Sequence, residues 1–211
     1  MIIHERTKTS REVRGIEGAL SKELGRIAKR IRKDPMFPVN VAFLRQRYGA
    51  EVQAAIQKAI QETYLKGLDY VSEFEEIPAL LSERDLQNIR QQSQFETEGF
   101  WRTITRDTLN VQTPALLRKV NVPAAMGLLS TAATTQALAL ATIDKARQVG
   151  DNESEVTWVT AADEKTCIIC RPLHRKTWRL NDPNILYPIR DSHPNCRCRL
   201  LFKDGRELFS H

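Results

Sequence analysis

The chain has 211 residues, of which 41% are apolar and 27% charged, with nine glycines and nine prolines. That balance excludes wholesale disorder and Gly-rich or collagen-like architectures. The length suffices for one sizeable domain or two small ones, with no staple required by size alone. The net charge of +6 conceals a pattern: residues 1–50 hold 12 basic and 5 acidic side chains, residues 51–164 hold 10 and 17, and residues 165–211 hold 10 and 4. Basic ends suit nucleic acid or an acidic protein surface, an acidic centre suits a basic partner, and solvated helix faces account for dispersed Lys and Arg equally well.

Residues 1–150 read as helical. Thr9 and Glu12 have capping-box spacing, and Val13, Ile16, Leu20, Leu24, Ile27 and Ile31 follow in steps of three and four, one stripe of a helix that ends at Asp34-Pro35. The opposite face carries Arg11, Lys22, Arg26, Lys29, Arg30 and Lys33. A second helical region starts after Pro38 and runs toward Ile77 with Val52, Ile56, Ile60 and Leu68 apolar, although Gly49 and Gly67 threaten its continuity. Ser82 and Asp85 form a possible cap for a third, with Leu86, Ile89, Ser93, Phe100, Ile104 and Val111 along it. Aromatics spaced like its Phe95, Phe100 and Trp101 belong more often to a core than to a base-stacking platform.

Pro114 and Pro123 interrupt the chain before an Ala-Leu-Thr-rich helix ending near Val149-Gly150. The uncharged stretch from Val120 to Ile143 contains Asn121, Ser130, Gln136 and several threonines, so a buried helix is expected and no stable membrane span. Residues 1–150 form the expected helical region, as a bundle or an elongated array.

At Gly150 the character changes. Residues 155–160 alternate and are β-branched, and 177–180 and 199–202 are two more short strand candidates, with a turn at Asn181-Asp182-Pro183-Asn184 between them. The expected fold is mainly α: a helical N-terminal region, 1–150, followed by a small α+β module, 151–211, with its own staple.

That staple is the most informative feature. Cys167-Ile-Ile-Cys170 is followed by His193-Pro-Asn-Cys196-Arg-Cys198. A C-x2-C turn brings two thiolates to one ion, and a second Cys/His cluster closes a tetrahedron. The start of the chain, Met-Ile-Ile-His-Glu-Arg-Thr-Lys, lacks the apolar core of a secretion signal, so a reducing compartment is expected, which favours metal over disulfides. The candidate ligands of a structural zinc are Cys167, Cys170, His193, Cys196 and Cys198, five for four places, with Cys196 and Cys198 open as alternatives for the last. His174 is a weaker sixth. A closed four-ligand site holds structure and leaves no position for a reactive water. No phosphate-binding loop, dinucleotide fingerprint or H-E-x-x-H occurs. A Cys–His peptidase has no use for three further cysteines, and a nuclease needs more ligands than the one histidine after His193, His211. A non-enzymatic protein is expected, with a zinc-supported DNA-binding protein or nuclease as the alternative.

The segment from Trp158 through Asp163, Cys167 and Cys170 to His174, followed by His193-Pro-Asn-Cys196-Arg-Cys198, resembles the Mu F-like minor head proteins of tailed bacteriophages, the phage head-morphogenesis family. The resemblance covers about residues 155–202 and departs from the family at one turn, where relatives often have Gly after the Leu-His pair and this chain has Arg175. It implies a low-copy structural protein inside the virion head, present in the host cytoplasm during assembly. Its implied partners are the portal protein and/or the major capsid protein, with roles in procapsid assembly, DNA packaging and ejection. The basic ends, through Arg26, Lys29 and Arg30 at one and Arg197 and Arg199 at the other, are then candidates for non-specific contact with phosphates of packaged DNA.

Overall fold

The computed structural model describes residues 2–37, 39–75, 80–109, 121–149, 155–160, 167–188, 191–192, 198–202 and 207–208. Four helices come first: α1 (Ile2–Lys33), α2 (Val41–Glu75), α3 (Glu83–Leu109) and α4 (Val122–Val149). Four short strands follow: β1 (Glu155–Val159), β2 (Thr177–Arg179), β3 (Arg199–Phe202) and β4 (Glu207–Leu208).

The predicted stripe of α1 is buried at Val13, Leu20, Leu24, Ile27 and Ile31, with Ile16 partly covered. Thr9 does not cap it. The helix runs unbroken from Ile2, because neither Gly nor Pro interrupts the first turns and nothing forces a start at Thr9. Asp34 closes the α1–α2 corner, its carboxylate accepting from the Met36 N–H, the Tyr48 hydroxyl and Arg47, each at 3.0 Å. Asn40 then caps α2, accepting from the Phe43 N–H at 2.9 Å.

Neither glycine breaks α2. Gly49 faces open space, whereas a Cβ on Gly67 would lie 2.7 Å from the Ala141 Cβ, so Gly67 lets α2 and α4 approach closely. The cap predicted at Ser82 is present in full: the Asp85 N–H donates to Ser82 Oγ at 3.2 Å, and the Ser82 N–H returns to the Asp85 carboxylate at 2.7 Å. In α3, Phe100 and Trp101 are buried edge to face, while Phe95 lies exposed under Arg102. Val111 and Pro114 lie outside the described residues.

Pro123 does not break a helix. It sits in the first turn of α4, where its missing N–H costs nothing, and Asn121 caps that turn. Residues Val122–Lys145 are long and apolar enough to cross a membrane, but α4 is the central helix of the bundle, in contact with α1, α2 and α3. Its threonines and Ser130 return their hydroxyls to carbonyls four residues back, which lets them share the core.

The sheet is antiparallel throughout, in the order β2-β1-β3-β4. The three predicted strands are present, and β4 was not foreseen, since two residues carry no periodicity. Register aligns Val156 with Trp178 and Trp158 with Leu200, and these four share the buried face. That face forms a second core with Cys170, Leu180, Ile185 and Tyr187, to which α4 contributes Ile143. Arg147 of α4 also donates to the Leu180 and Asp182 carbonyls, tying the last helical turn to the loop after β2.

Candidate metal centre

Antiparallel pairing of Val159 with Arg199 puts the end of β1 and the start of β3 at one end of the sheet. Cys198 directly precedes β3, and Cys167 and Cys170 lie between β1 and β2. The topology therefore gathers three of the five candidate ligands toward one region. Cys170 is buried in the second core, and Cys167 and Cys198 are half-buried against the same cluster. Residues two apart in an extended chain share a face, so Cys198 lies on the side where Leu200 is buried.

The Cys167–Cys170 turn has the shape that thiolate ligation requires. The Cys170 N–H donates to Cys167 Sγ at 3.3 Å, and the Arg171 N–H to the Cys167 carbonyl at 3.0 Å. A backbone N–H aimed at sulfur favours the thiolate and fixes its direction. Cys167, Cys170 and Cys198 are thiols, not joined to one another in a disulfide. This half of the motif fits a bound soft cation. Among the described residues, however, no three His, Cys, Asp or Glu side chains come together as a metal-holding group. His193 and Cys196, the remaining candidates, lie outside the described residues.

His174 serves another purpose. Its Nδ1 accepts from the Thr160 N–H at 3.2 Å and lies 3.1 Å from Thr160 Oγ1, so this ring nitrogen fastens the hairpin turn to the end of β1. After one 3-10 turn at Arg171–Leu173, Arg175 takes φ of +66°. Its N–H donates to the Trp158 carbonyl, while the Trp158 N–H donates to the Lys176 carbonyl, both at 2.8 Å. Two residues of one strand thus oppose Trp158, a β-bulge whose first residue is left-handed, the position that glycine fits best.

Of the nucleic-acid candidates, Arg26 and Arg30 are engaged within the fold. Arg26 pairs with Glu23 at 2.6 Å and with Glu51 at 2.7 Å, and Arg30 pairs with Glu51 at 2.6 Å. The Arg26 hydrogen bond holds the Glu23 carboxyl below its usual range. Lys29 is exposed on the same face. Arg199 contributes backbone to β3, and Arg197 lies outside the described residues.

A buried polar cluster escaped the sequence reading. The Tyr64 hydroxyl lies 2.8 Å from Asp85 and 2.9 Å from Asp144, and Asn88 donates to Asp144 at 2.6 Å. Burial and the Asp144 charge push the Tyr64 phenol up. The available signal was Asp144-Lys145 standing at a buried phase of an apolar helix.

The family model for Phage Mu protein F like protein matches residues 87–201, from the first turns of α3 through α4 to β3. The chain belongs to this family. Neither the curated proteins nor the solved structures give a match. The Mu F-like unit is therefore wider than the Cys/His motif: it includes α3 and α4, where no motif is visible, and leaves α1 and α2 outside. Membership points to a phage head-morphogenesis protein that meets other head proteins, in the setting of the virion and the host cytoplasm.

Proposed function

We propose that this chain is a low-copy, non-enzymatic minor head protein that associates with the portal, or with the major capsid protein around it, during procapsid assembly and stays inside the head. The observation that carries this reading is the Mu F-like match across two helices and three strands, half of the chain and more. A helical bundle with alternating acidic and basic segments offers charge-matched docking surfaces. Contact with packaged DNA during packaging and ejection falls to the exposed cations, Lys29 foremost, since Arg26 and Arg30 are held by Glu51.

In this reading a structural zinc staples the sheet module. Cys167 and Cys170 would supply the knuckle, with Cys198, His193 and Cys196 as the candidates for the remaining places. A bound zinc would supply folding energy to a sheet of few and short strands. The test is co-purification. The wild-type chain should appear in DNA-free procapsids and in mature particles, bind isolated portal oligomers, and leave DNA uncut in the presence of divalent metal. Metal-dependent cleavage abolished by His193→Ala would overturn the reading in favour of a nuclease.

A further inference from the structure

The residues between Cys167 and Cys170 have a spacing role that any polar side chain can fill. Here both are isoleucine, and both lie outside the core: Ile168 is 85% exposed and Ile169 49%. Neither is explained by folding, since a β-branched apolar residue in an exposed turn stabilises nothing there. Their surroundings carry one sign of charge. From Cys167 to Leu180 the chain holds Arg171, Arg175, Lys176 and Arg179 and no Asp or Glu. All four are exposed. Arg179 stands across from Glu155 in the β1–β2 register, which leaves Arg171, Arg175 and Lys176 nearest the isoleucines. Lys176 extends over the Trp178 ring, 5.3 Å from its centroid, so its charge sits along the outer edge of the sheet formed by β2.

We infer that this apolar tip with its basic surround is a docking surface for a protein segment that presents apolar side chains ringed by Asp and Glu. Charge complementarity selects the acidic partner. The isoleucine pair selects protein over nucleic acid, because phosphates offer nothing for two exposed aliphatic side chains to bury against. The surface belongs to the sheet module and uses none of α1 or α2. The partner's being a head protein rests on the assembly reading above.

The experiment uses the full chain co-expressed with the phage head proteins, with copies per particle counted by mass spectrometry in DNA-free procapsids and in filled heads. Three versions are compared: wild type, Ile168→Ser/Ile169→Ser, and Arg171→Glu/Lys176→Glu. Both variants should enter procapsids about tenfold less than wild type, with melting temperature and thiol reactivity of the purified chain unchanged. Variants that enter as well as a present wild type overturn the docking surface and leave the assembly reading standing. A wild type absent from particles overturns both. A loss confined to filled heads assigns the surface to DNA and overturns the protein partner. A wild-type dimer that the isoleucine variant converts to monomer assigns it to a second copy of this chain, which also overturns the proposal.

Discussion

Arg175 and Glu96 each hold a conformation or a state that their side chain resists. At φ of +66° the Arg175 Cβ crowds its own backbone, at a cost of about 1–2 kcal/mol for a residue other than glycine. The bulge keeps it there because the Arg175 N–H and the Lys176 carbonyl both bond to Trp158. Arg175→Gly should therefore raise stability by about 0.5–1 kcal/mol, the relief of strain exceeding the extra freedom of the unfolded chain. Arg175→Ala, which keeps the Cβ, should gain nothing. Thermal melts of the two variants side by side decide it, and equal melting temperatures would show that the turn is unstrained. Glu96 is buried in α3, and burial pushes its carboxyl up to about 7, against a smaller opposing pull from Arg102. Between the ordinary glutamate range and that value the folded chain keeps the proton and the unfolded chain has lost it. Glu96 is thus most compatible with the fold at low pH, and stability falls as pH rises toward 7 and then levels. Glu96→Gln should abolish that slope, stabilising by up to about 3 kcal/mol at pH 8 and by little at pH 4. Denaturant melts of both proteins across that range measure it, and a gain independent of pH would refute the assignment.

Helix boundaries show what the sequence carries and where it stops. The Ser82–Asp85 cap was legible because reciprocal capping needs those residue types three apart, and it formed as expected. Thr9–Glu12 has comparable spacing and no cap, because the chain before Thr9 is as willing to be helical as the chain after it. Gly49 and Gly67 looked alike in sequence and differ only in what stands opposite. Gly49→Ala should stabilise by about 1 kcal/mol, the ordinary helix gain over glycine, since nothing lies within 4 Å of the new Cβ. Gly67→Ala should instead destabilise by about 1–3 kcal/mol, because its Cβ meets the Ala141 Cβ and, at 3.3 Å, the Leu138 carbonyl. Equal and opposite helix effects cannot produce that sign reversal. Two stabilised proteins would mean that α2 and α4 can separate at no cost. The strands were legible from alternation, but the site was legible only as a motif. Which elements bring Cys167, Cys170 and Cys198 toward one end of a sheet is decided by antiparallel pairing over some forty residues, and local pattern does not encode that.

At the scale of the whole molecule the chain has two cores joined through one helix. The larger lies among the four helices, and the smaller lies under the sheet with Ile143 of α4 as its helical member. The smaller core is built on Trp158, Trp178, Leu180, Ile185, Tyr187 and Leu200, with Cys170 inside it. A sheet of four strands, none longer than five residues, gains much from a cross-link at the end where β1 and β3 meet. If zinc is that cross-link, its removal should act on the two cores unequally. Under reducing conditions, a chelator should expose reactive thiols and lower the melting temperature of the tryptophan signal from Trp158 and Trp178. The far-ultraviolet helical signal should stay nearly unchanged, because α1–α3 draw nothing from the sheet's core. Arg147 and Ile143 would let the last turn of α4 loosen with the sheet, so a small helical loss is part of the expectation. Re-addition of one equivalent of zinc should restore both the masked thiols and the melting temperature. Four thiols that react at full rate before any chelator, with melting unaffected by it, would remove zinc from the account and leave the smaller core to hold the sheet by packing alone.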